Sequence, residues 1–231
     1  MSQAILIKTL KEIGIEPSAT LLNKFEAYFK LLVSWNQKMN LTSITDEEGV
    51  YEKHFADSLI PAKSLSFENK KVLDIGSGGG FPGLVIALAF PSSEVTVLDA
   101  TAKKFIFLKE VAKELGLSNV KFVNARIEDR KVPEESFDIV ISRGFAALPI
   151  FLECAAPFTK VGGYVLAMKG ASYQSEVEAS KKAKALGLEL KKTDVAELPN
   201  AGVRASVVYL KNGHTPKKYP RRWDEMKREY R

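Results

Sequence analysis

The chain has 231 residues, 45% of them hydrophobic, and a formal net charge of +6, so it is long enough for one sizeable domain, with or without a helical extension. No apolar stretch approaches the ~20 residues of a membrane-spanning helix, and the N-terminus lacks the pattern of a signal peptide. The single cysteine, Cys154, excludes an internal disulfide and a cysteine-rich zinc site, so we expect a soluble cytoplasmic protein without a metal centre.

The N-terminal part of the chain is predicted to be helical. A short helix is expected over about 4–13, and a second over 19–38, where apolar residues recur at helical spacing. A third helix is predicted over 47–60. It carries His54 and Asp57 three residues apart, so the two side chains can share one face of that helix.

A polar segment, 35–46, separates the second and third helices. Thr45 and Glu48 form a capping-box pattern for the third helix, and Asp46 is an alternative cap. The segment is either a well-capped helix connection or a loop that faces a substrate, and the residues leave both interpretations open.

Residues 71–83 organise the rest of the chain. An apolar strand, 72–75, runs into a cluster of glycines, and Pro82 stands where the first turn of a helix would begin. Strand, glycine turn and helix N-terminus in this order form the nucleotide-binding half of a βαβ unit. Glycine suits the turn because the backbone must bend tightly and leave space for a ligand.

The glycine spacing alone does not choose the ligand. Gly78, Gly80 and Gly83 satisfy the dinucleotide pattern G-x-G-x-x-G. Counted from Gly76, the pattern becomes acidic-x-Gly-x-Gly-x-Gly, with Asp74 inside the strand. A carboxylate there would repel a pyrophosphate but not the cationic end of S-adenosylmethionine. The sequence therefore favours S-adenosylmethionine, with a dinucleotide or an empty glycine-rich turn as alternatives.

After this loop, strands are predicted to alternate with helices. The predicted strands are 94–99, 120–124, 137–142, 163–168, 188–196 and 203–210, with helices over 102–115 and 172–186. Asp99 ends the first of these strands, where an acid suits a ribose diol in any nucleoside ligand, and Thr101 can cap the next helix. The final antiparallel pair is typical of a seven-stranded methyltransferase rather than a six-stranded dehydrogenase.

Two further positions follow predicted strands at the edge where open α/β sheets bind ligands. Ile127 and Glu128 could read an adenine, through an amide N–H and a carboxylate, although an ordinary exposed loop would have the same composition. Arg143 follows the fourth strand and is expected to enter the site, on the cofactor carboxylate or on the substrate.

Five segments occur together and in order, and they resemble the RsmG family, also called GidB. The segments are 35–42, 54–59, 74–83, 142–146 and 215–222. The resemblance spans roughly 20–222. It implies a class I, Rossmann-like methyltransferase fold with an N-terminal helical extension. It also implies transfer of a methyl group from S-adenosyl-L-methionine to N7 of a guanine in bacterial 16S (small-subunit) ribosomal RNA.

The resemblance also implies a division of the chain and a set of cofactor residues. We expect a helical extension over 1–66, a methyltransferase domain over 67–211 and a basic tail over 212–231. The residues expected to bind the cofactor are Gly76, Gly78, Phe81, Asp99, Ala100, Thr101, Ile127, Glu128 and Arg143. Beyond Arg222 the sequence departs from the family pattern, and no role is carried over to 223–231.

Methylation of guanine N7 is consistent with the absence of known catalytic motifs from the sequence. Guanine N7 has a lone pair and no proton, so direct in-line attack needs placement rather than a catalytic side chain. Neither a Pro-Cys nucleophile nor an Asn/Asp-Pro-Pro-Tyr/Phe motif occurs, and we expect no catalytic residue and no covalent intermediate. A small-molecule or protein methyltransferase and a non-catalytic RNA-binding module remain alternatives.

The charge distribution is consistent with an RNA partner. The last 20 residues contain seven basic and three acidic residues, a balance that suits phosphate contacts or a merely solvated tail. The residues expected to contact RNA are Lys103, Lys104, Lys169, Lys217, Lys218, Arg221 and Arg222. We expect a monomer that binds small-subunit ribosomal RNA or an assembling small subunit. N7 lies in the inaccessible major groove of A-form RNA, so the target guanine should be unstacked.

Overall fold

The computed structural model describes residues 3–230 as a mixed sheet with helices on both faces. The strands are β1 (Lys71–Ile75), β2 (Glu94–Asp99), β3 (Val120–Asn124), β4 (Phe137–Arg143), β5 (Thr159–Lys169), β6 (Leu188–Leu198) and β7 (Gly202–Lys211). Their order across the sheet is β3-β2-β1-β4-β5-β7-β6. Strands β1 to β5 pair in parallel, whereas β7 pairs antiparallel with both β5 and β6. This is the predicted seven-stranded class I architecture.

The helices also follow the prediction in outline. They are α1 (Ala4–Glu12), α2 (Ala19–Asn36), α3 (Glu47–Val50), α4 (Asp57–Leu59), α5 (Gly83–Ala89), α6 (Ala102–Glu114), α7 (Leu148–Ala155), α8 (Tyr173–Ala179) and α9 (Trp223–Glu229). A π-helical segment, Tyr51–Ala56, joins α3 to α4. Insertions of this kind in α-helices are frequent at functional sites. No helix in the described range is long and apolar enough to cross a membrane.

The N-terminal helices share one hydrophobic core with the sheet. Phe25, Tyr28 and Leu32 of α2 are fully buried, and they belong to the same apolar cluster as Val72 of β1 and Leu84 of α5. Because this packing removes large apolar side chains from water, it is the main stabilising term between the extension and the sheet. The extension therefore shapes the sheet edge at which the glycine loop lies.

One local alternative is decided by the structure, and two local predictions are corrected. Asp46, not Thr45, caps the third helix, since Asp46 Oδ1 accepts a hydrogen bond from the Gly49 N–H at 2.7 Å. Thr101 occupies the N-cap position of α6, but its side chain makes no capping hydrogen bond to any described residue. The helix predicted over 172–186 is interrupted: α8 ends at Ala179, and a separate 3₁₀ turn covers Ala183–Leu186.

The C-terminal segment is not a free, solvated tail. Met226 of α9 is fully buried and Tyr219 is 6% exposed. Arg221 makes a two-pronged ion pair with Glu153 of α7, through Nε to Oε1 at 2.8 Å and Nη2 to Oε2 at 2.7 Å. Glu153 is itself fully buried. This pair fastens the segment to the body of the protein, because breaking one half would leave an unpaired buried charge.

Candidate active site

The glycine loop joins β1 to α5 at the carboxyl edge of the sheet. Gly76, Gly78 and Gly80 have φ angles of +75°, +57° and +92°, which side-chain-bearing residues rarely adopt. The reasons for glycine differ along the loop. A Cβ at Gly80 would lie 2.2 Å from Tyr28 Oη, whereas the space beside Gly78 is open, with its nearest atom 3.9 Å away. Packing against α2 therefore requires Gly80, and Gly78 leaves room for a ligand.

Asp99 connects the glycine loop to the loop that follows β2. Its Oδ2 accepts from the Gly78 N–H at 2.9 Å, and its Oδ1 accepts from the Thr101 N–H at 2.8 Å. The Lys104 ammonium lies 3.8 Å from Oδ2. Each carboxylate oxygen keeps a second lone pair, so Asp99 can still accept hydrogen bonds from two ligand hydroxyls.

A cavity opens beside Asp99 at this edge. It is lined by Gly76, Leu98, Asp99, Ala100, Lys104, Ala125, Arg126, Ile127, Glu128, Gly144, Phe145 and Trp223. Five of the residues predicted to bind the cofactor thus share one wall: Gly76, Asp99, Ala100, Ile127 and Glu128. Sequence reasoning missed Phe145 as a lining residue although its segment had been singled out, and it missed Trp223 because no role was carried over to 223–231.

The other predicted cofactor residues lie outside this lining. The Phe81 ring is 5% exposed and stacks between His54, at a centroid distance of 4.5 Å, and Tyr28, at 5.4 Å. Its side chain therefore belongs to the core. Gly78 and Thr101 contribute by donating their N–H groups to Asp99. Arg143 lies in a neighbouring cavity.

This second cavity adjoins the first at Gly144, which lines both. Its lining consists of Ile44, Lys53, His54, Asp57, Arg143, Gly144, Met168, Lys169, Gly170, Glu176 and Arg204. Four of these side chains are basic and two are carboxylates. The polar segment after α2 thus reaches the site, through Ile44, and the π-helical segment supplies Lys53 and His54 to its wall.

Arg143 is the centre of a charge network in the second cavity. Its Nη1 donates to Asp57 Oδ2 at 2.9 Å and to the Lys53 carbonyl at 2.6 Å. Arg204 Nε forms an ion pair with Asp57 Oδ1 at 3.0 Å. Asp57, 3% exposed, therefore holds two arginines. The sequence suggested a helix face shared by His54 and Asp57, and the fold adds that both side chains face Arg143.

His54 is held as a neutral imidazole. Burial and the nearby Arg143 guanidinium lower its pKa from the usual 6.5 to about 4. Its Nδ1 lies 3.2 Å from Arg143 Nη2, which can only donate, and 3.1 Å from the Lys53 carbonyl, which can only accept. Its Nε2 forms a hydrogen bond with Thr42 Oγ1, 2.8 Å away, a hydroxyl that can donate or accept. Both ring nitrogens are engaged within the protein.

Asp74 does not face either cavity. It is fully buried, and its Oδ2 accepts from the Gly83 N–H at 2.8 Å. Its Oδ1 has no hydrogen-bond partner among the described residues, and burial raises the pKa of the carboxyl from 3.8 to about 7. The sequence argument that the Asp74 charge repels a pyrophosphate is therefore wrong in its geometry. Asp99 is the carboxylate that lines the first cavity.

Lys169, predicted to contact RNA, supports the loop between the two cavities. Its ammonium donates to the Ala146 carbonyl at 2.7 Å and to Glu176 Oε2 at 2.7 Å. The same Glu176 oxygen accepts from the Leu148 N–H at the start of α7. Because Lys169 binds both the Ala146 carbonyl and the carboxylate that accepts from the Leu148 N–H, the position of the segment from Gly144 to Leu148 depends on the pair of Lys169 and Glu176.

The residues of the first cavity fit S-adenosylmethionine. Asp99 can accept from the ribose diol, Ile127 and Glu128 offer an apolar wall and a carboxylate to the adenine, and the open side of Gly78 leaves space at the glycine turn. When bound, this cofactor supplies an electrophilic methyl group on a sulfonium. With the fold, the cleft defines an S-adenosylmethionine-dependent methyltransferase of the class I type.

Solved structures share this fold. A crystal structure of M. jannaschii TYW2 in complex with AdoMet matches with a TM-score of 0.50 and 25% identity, covering 63% of this chain and 69% of that one. A SAM-dependent methyltransferase from Aquifex aeolicus matches with a TM-score of 0.57 and 16% identity, over 77% and 98% of the two chains.

The sequence comparisons are more specific. The family described as "GidB: rRNA small subunit methyltransferase G" matches residues 21–201. A ribosomal RNA small subunit methyltransferase G of Brevibacillus brevis is 42% identical over 96% of both chains. One of Staphylococcus epidermidis is 44% identical over 96% of this chain and 95% of its own. The chain therefore belongs to this methyltransferase family, which confirms the resemblance found in the sequence.

Proposed function

We propose that this protein transfers a methyl group from S-adenosylmethionine to N7 of a guanine in small-subunit ribosomal RNA, by direct in-line attack. The family and the names of its relatives support a ribosomal RNA substrate. The observation that supports guanine N7 is the second cavity, which opens beside the cofactor cleft at Gly144 and whose two carboxylates and imidazole are each in contact with a cation or a hydrogen-bond donor. We also propose that the protein acts in the cytoplasm, where small subunits assemble.

The acids and the imidazole that line the second cavity are already engaged. Asp57 holds two arginines. Glu176 accepts from Lys169 and from a backbone N–H, and His54 uses both ring nitrogens. Methylation of an amino group or a hydroxyl needs a group that removes a proton, whereas guanine N7 carries none. The site is suited to a base whose reacting atom is a bare lone pair.

The protein then contributes to the reaction by placing the cofactor and the guanine relative to each other. Holding the reacting atoms in line and away from water can account for much of the rate of such a transfer. The mixed charges of the second cavity suit guanine, which presents acceptors at O6 and N7 and a donor at N2. A base can enter a concave site of this kind only when it is unstacked from its helix. We therefore propose a guanine exposed during subunit assembly as the target.

The reaction is tested with tritiated S-adenosylmethionine and small subunits from cells that lack this protein. Label that maps to one guanine, by cleavage chemistry specific for N7-methylguanine, would support the reaction, the substrate and the cofactor together. Large subunits from the same cells are the control. Cofactor binding without label in the RNA would contradict the proposed substrate and leave the cofactor site intact.

The exposed basic residues beside the cleft are proposed to bind RNA phosphates. Lys103, Lys217, Lys218 and Arg222 are exposed. Lys104 is half-buried beside Asp99, so it faces the cofactor cleft. Lys169 and Arg221 are withdrawn from the earlier set, because each is committed to an internal carboxylate.

Replacing Lys217, Lys218 and Arg222 with glutamine should weaken RNA binding and reduce the slope of log K against log[salt] by about 2 to 3, since each phosphate contact contributes nearly one. A matched variant neutralises Lys109, Lys113 and Lys121, three exposed lysines that line neither cavity, and should change the slope little. Equal slopes for the two variants would contradict a role for this surface.

A further inference from the structure

The C-terminal helix contributes one wall of the cofactor cleft. Trp223, the first residue of α9, lines the first cavity together with Ile127, Glu128 and Phe145. It lies beyond residue 201, where the match to the family model ends, and in the stretch to which the sequence assigned no role. A tryptophan offers the largest flat aromatic surface of any side chain, and purines stack on such surfaces.

The indole is held in place by its neighbours. Its ring meets the Phe145 ring edge to face at a centroid distance of 5.5 Å, and the Lys227 ammonium lies over it at 5.7 Å. Phe145 in turn packs over Gly76, where a Cβ would come within 2.8 Å of the Phe145 ring. The glycine loop, Phe145 and Trp223 therefore form successive layers at one side of the cleft.

The backbone that carries Trp223 is anchored two residues away. The Arg221 N–H and Nε both donate to Glu153 Oε1, at 2.9 and 2.8 Å, and Nη1 reaches Glu229 Oε2 at 2.6 Å. Glu229 is the last residue of α9, and Met226 in its middle is fully buried. Both ends of the helix are thus fastened, so Trp223 is part of the cleft rather than a side chain on a loose tail.

We propose that Trp223 is a cofactor-binding residue, which contacts the adenosine moiety of S-adenosylmethionine and screens it from water. The inference rests on the assignment of the first cavity as the adenosine site. This proposal gives α9 a function, because the helix then completes the wall of the first cavity around the adenosine moiety. The alternative, that Trp223 stacks on a base of the RNA, is an outcome of the test below.

The test uses the fluorescence of tryptophan. The chain has two tryptophans, and Trp35 packs on Phe107 outside both cavities. In the full-length Trp35→Phe protein, Trp223 is the only tryptophan, and excitation at wavelengths that tyrosine does not absorb reports on it alone. Titration with S-adenosylhomocysteine, the demethylated product, should change its emission with saturation at the Kd found by calorimetry. In the Trp223→Phe protein, Trp35 is the only tryptophan, and its emission should not change during the same titration.

Affinity gives the second measurement. By calorimetry, Trp223→Leu should bind S-adenosylhomocysteine about tenfold more weakly, the effect of losing one stacking contact, while Trp223→Phe should retain most of the affinity. The inference is overturned if Trp223→Leu binds within twofold of wild type and the Trp223 emission does not change at saturation. Loss of RNA affinity alone would overturn it in favour of a base contact. Failure of the wild type to bind would refute the cleft assignment itself.

Discussion

Replacing Gly80 with alanine tests whether the helical extension shapes the cofactor loop. Gly80 has a φ of +92°, and a Cβ there would lie 2.2 Å from Tyr28 Oη and 2.9 Å from Leu84 Cδ1. The left-handed backbone costs a residue with a Cβ about 1–2 kcal/mol. Overpacking of the buried contact adds about 1–3 kcal/mol. We therefore expect the free energy of unfolding to fall by about 3 kcal/mol.

Gly116→Ala is the matched control. Gly116 also has a positive φ, +63°, but a Cβ there has nothing within 4 Å, so only the backbone strain remains. In a domain of this size 1 kcal/mol shifts Tm by roughly 2–4 °C. Thermal unfolding followed by circular dichroism should then show a loss of roughly 6–12 °C for Gly80→Ala and of roughly half that for Gly116→Ala.

A double variant identifies the contact. Tyr28 Oη donates to the Gly79 carbonyl at 2.6 Å, so Tyr28→Phe alone should destabilise the loop by leaving that carbonyl unpaired. In the Gly80→Ala background the same change also removes the clashing atom, and the double variant should lose less stability than the sum of the singles. Additive losses, or equal Tm values for Gly80→Ala and Gly116→Ala, would refute the packing argument.

Three further changes probe the charged groups. Asp99→Asn should weaken S-adenosylhomocysteine binding by about tenfold or more, because one amide oxygen replaces two charged acceptors; calorimetry within twofold of wild type would contradict the role. Arg143→Met should raise the pKa of His54 above about 4 by removing a nearby cation. An NMR titration, with His214 as the internal reference, in which the pKa of His54 does not change would contradict the proposed contact between Arg143 and His54. The pKa of Asp74 is about 7 in the folded state, against 3.8 for the free acid. Since the folded state therefore binds this proton more tightly than the unfolded state does, the contribution of Asp74 to stability falls as pH rises from 4 to 7. Relative to wild type, Asp74→Asn should therefore gain stability across that window in urea titrations, and a constant difference would argue against the raised pKa.

The strands and the glycine loop follow directly from local sequence. Apolar runs that end in a glycine, an acid or an arginine predicted β1, β2 and β4 to within a residue or two, since a strand buried on both faces must be continuously apolar. The helix α7 was not predicted, although it is almost wholly buried. A short apolar run does not distinguish helix from strand by periodicity.

Roles that depend on long-range contacts were less predictable. The composition of the C-terminal segment suggested phosphate contacts, yet Arg221 is bound to Glu153, 68 residues earlier in the sequence. Lys169 likewise supports a loop through Glu176. A basic side chain has the same local sequence signal whether it meets a phosphate or a buried carboxylate. Only the fold decides which acid lies within reach.

The sequence by itself determined the class of fold, the cofactor and the family, because those depend on residues that are close together in the chain: the glycine turn, the acid after β2 and the ordered motifs. The tertiary structure decided which carboxylate lines the first cavity. Asp74 points to the start of α5 and Asp99 to the cleft. It also brought Trp223 to the wall of the first cavity from the far end of the chain, since a cleft is formed by surfaces that meet in the fold and not by neighbours in sequence.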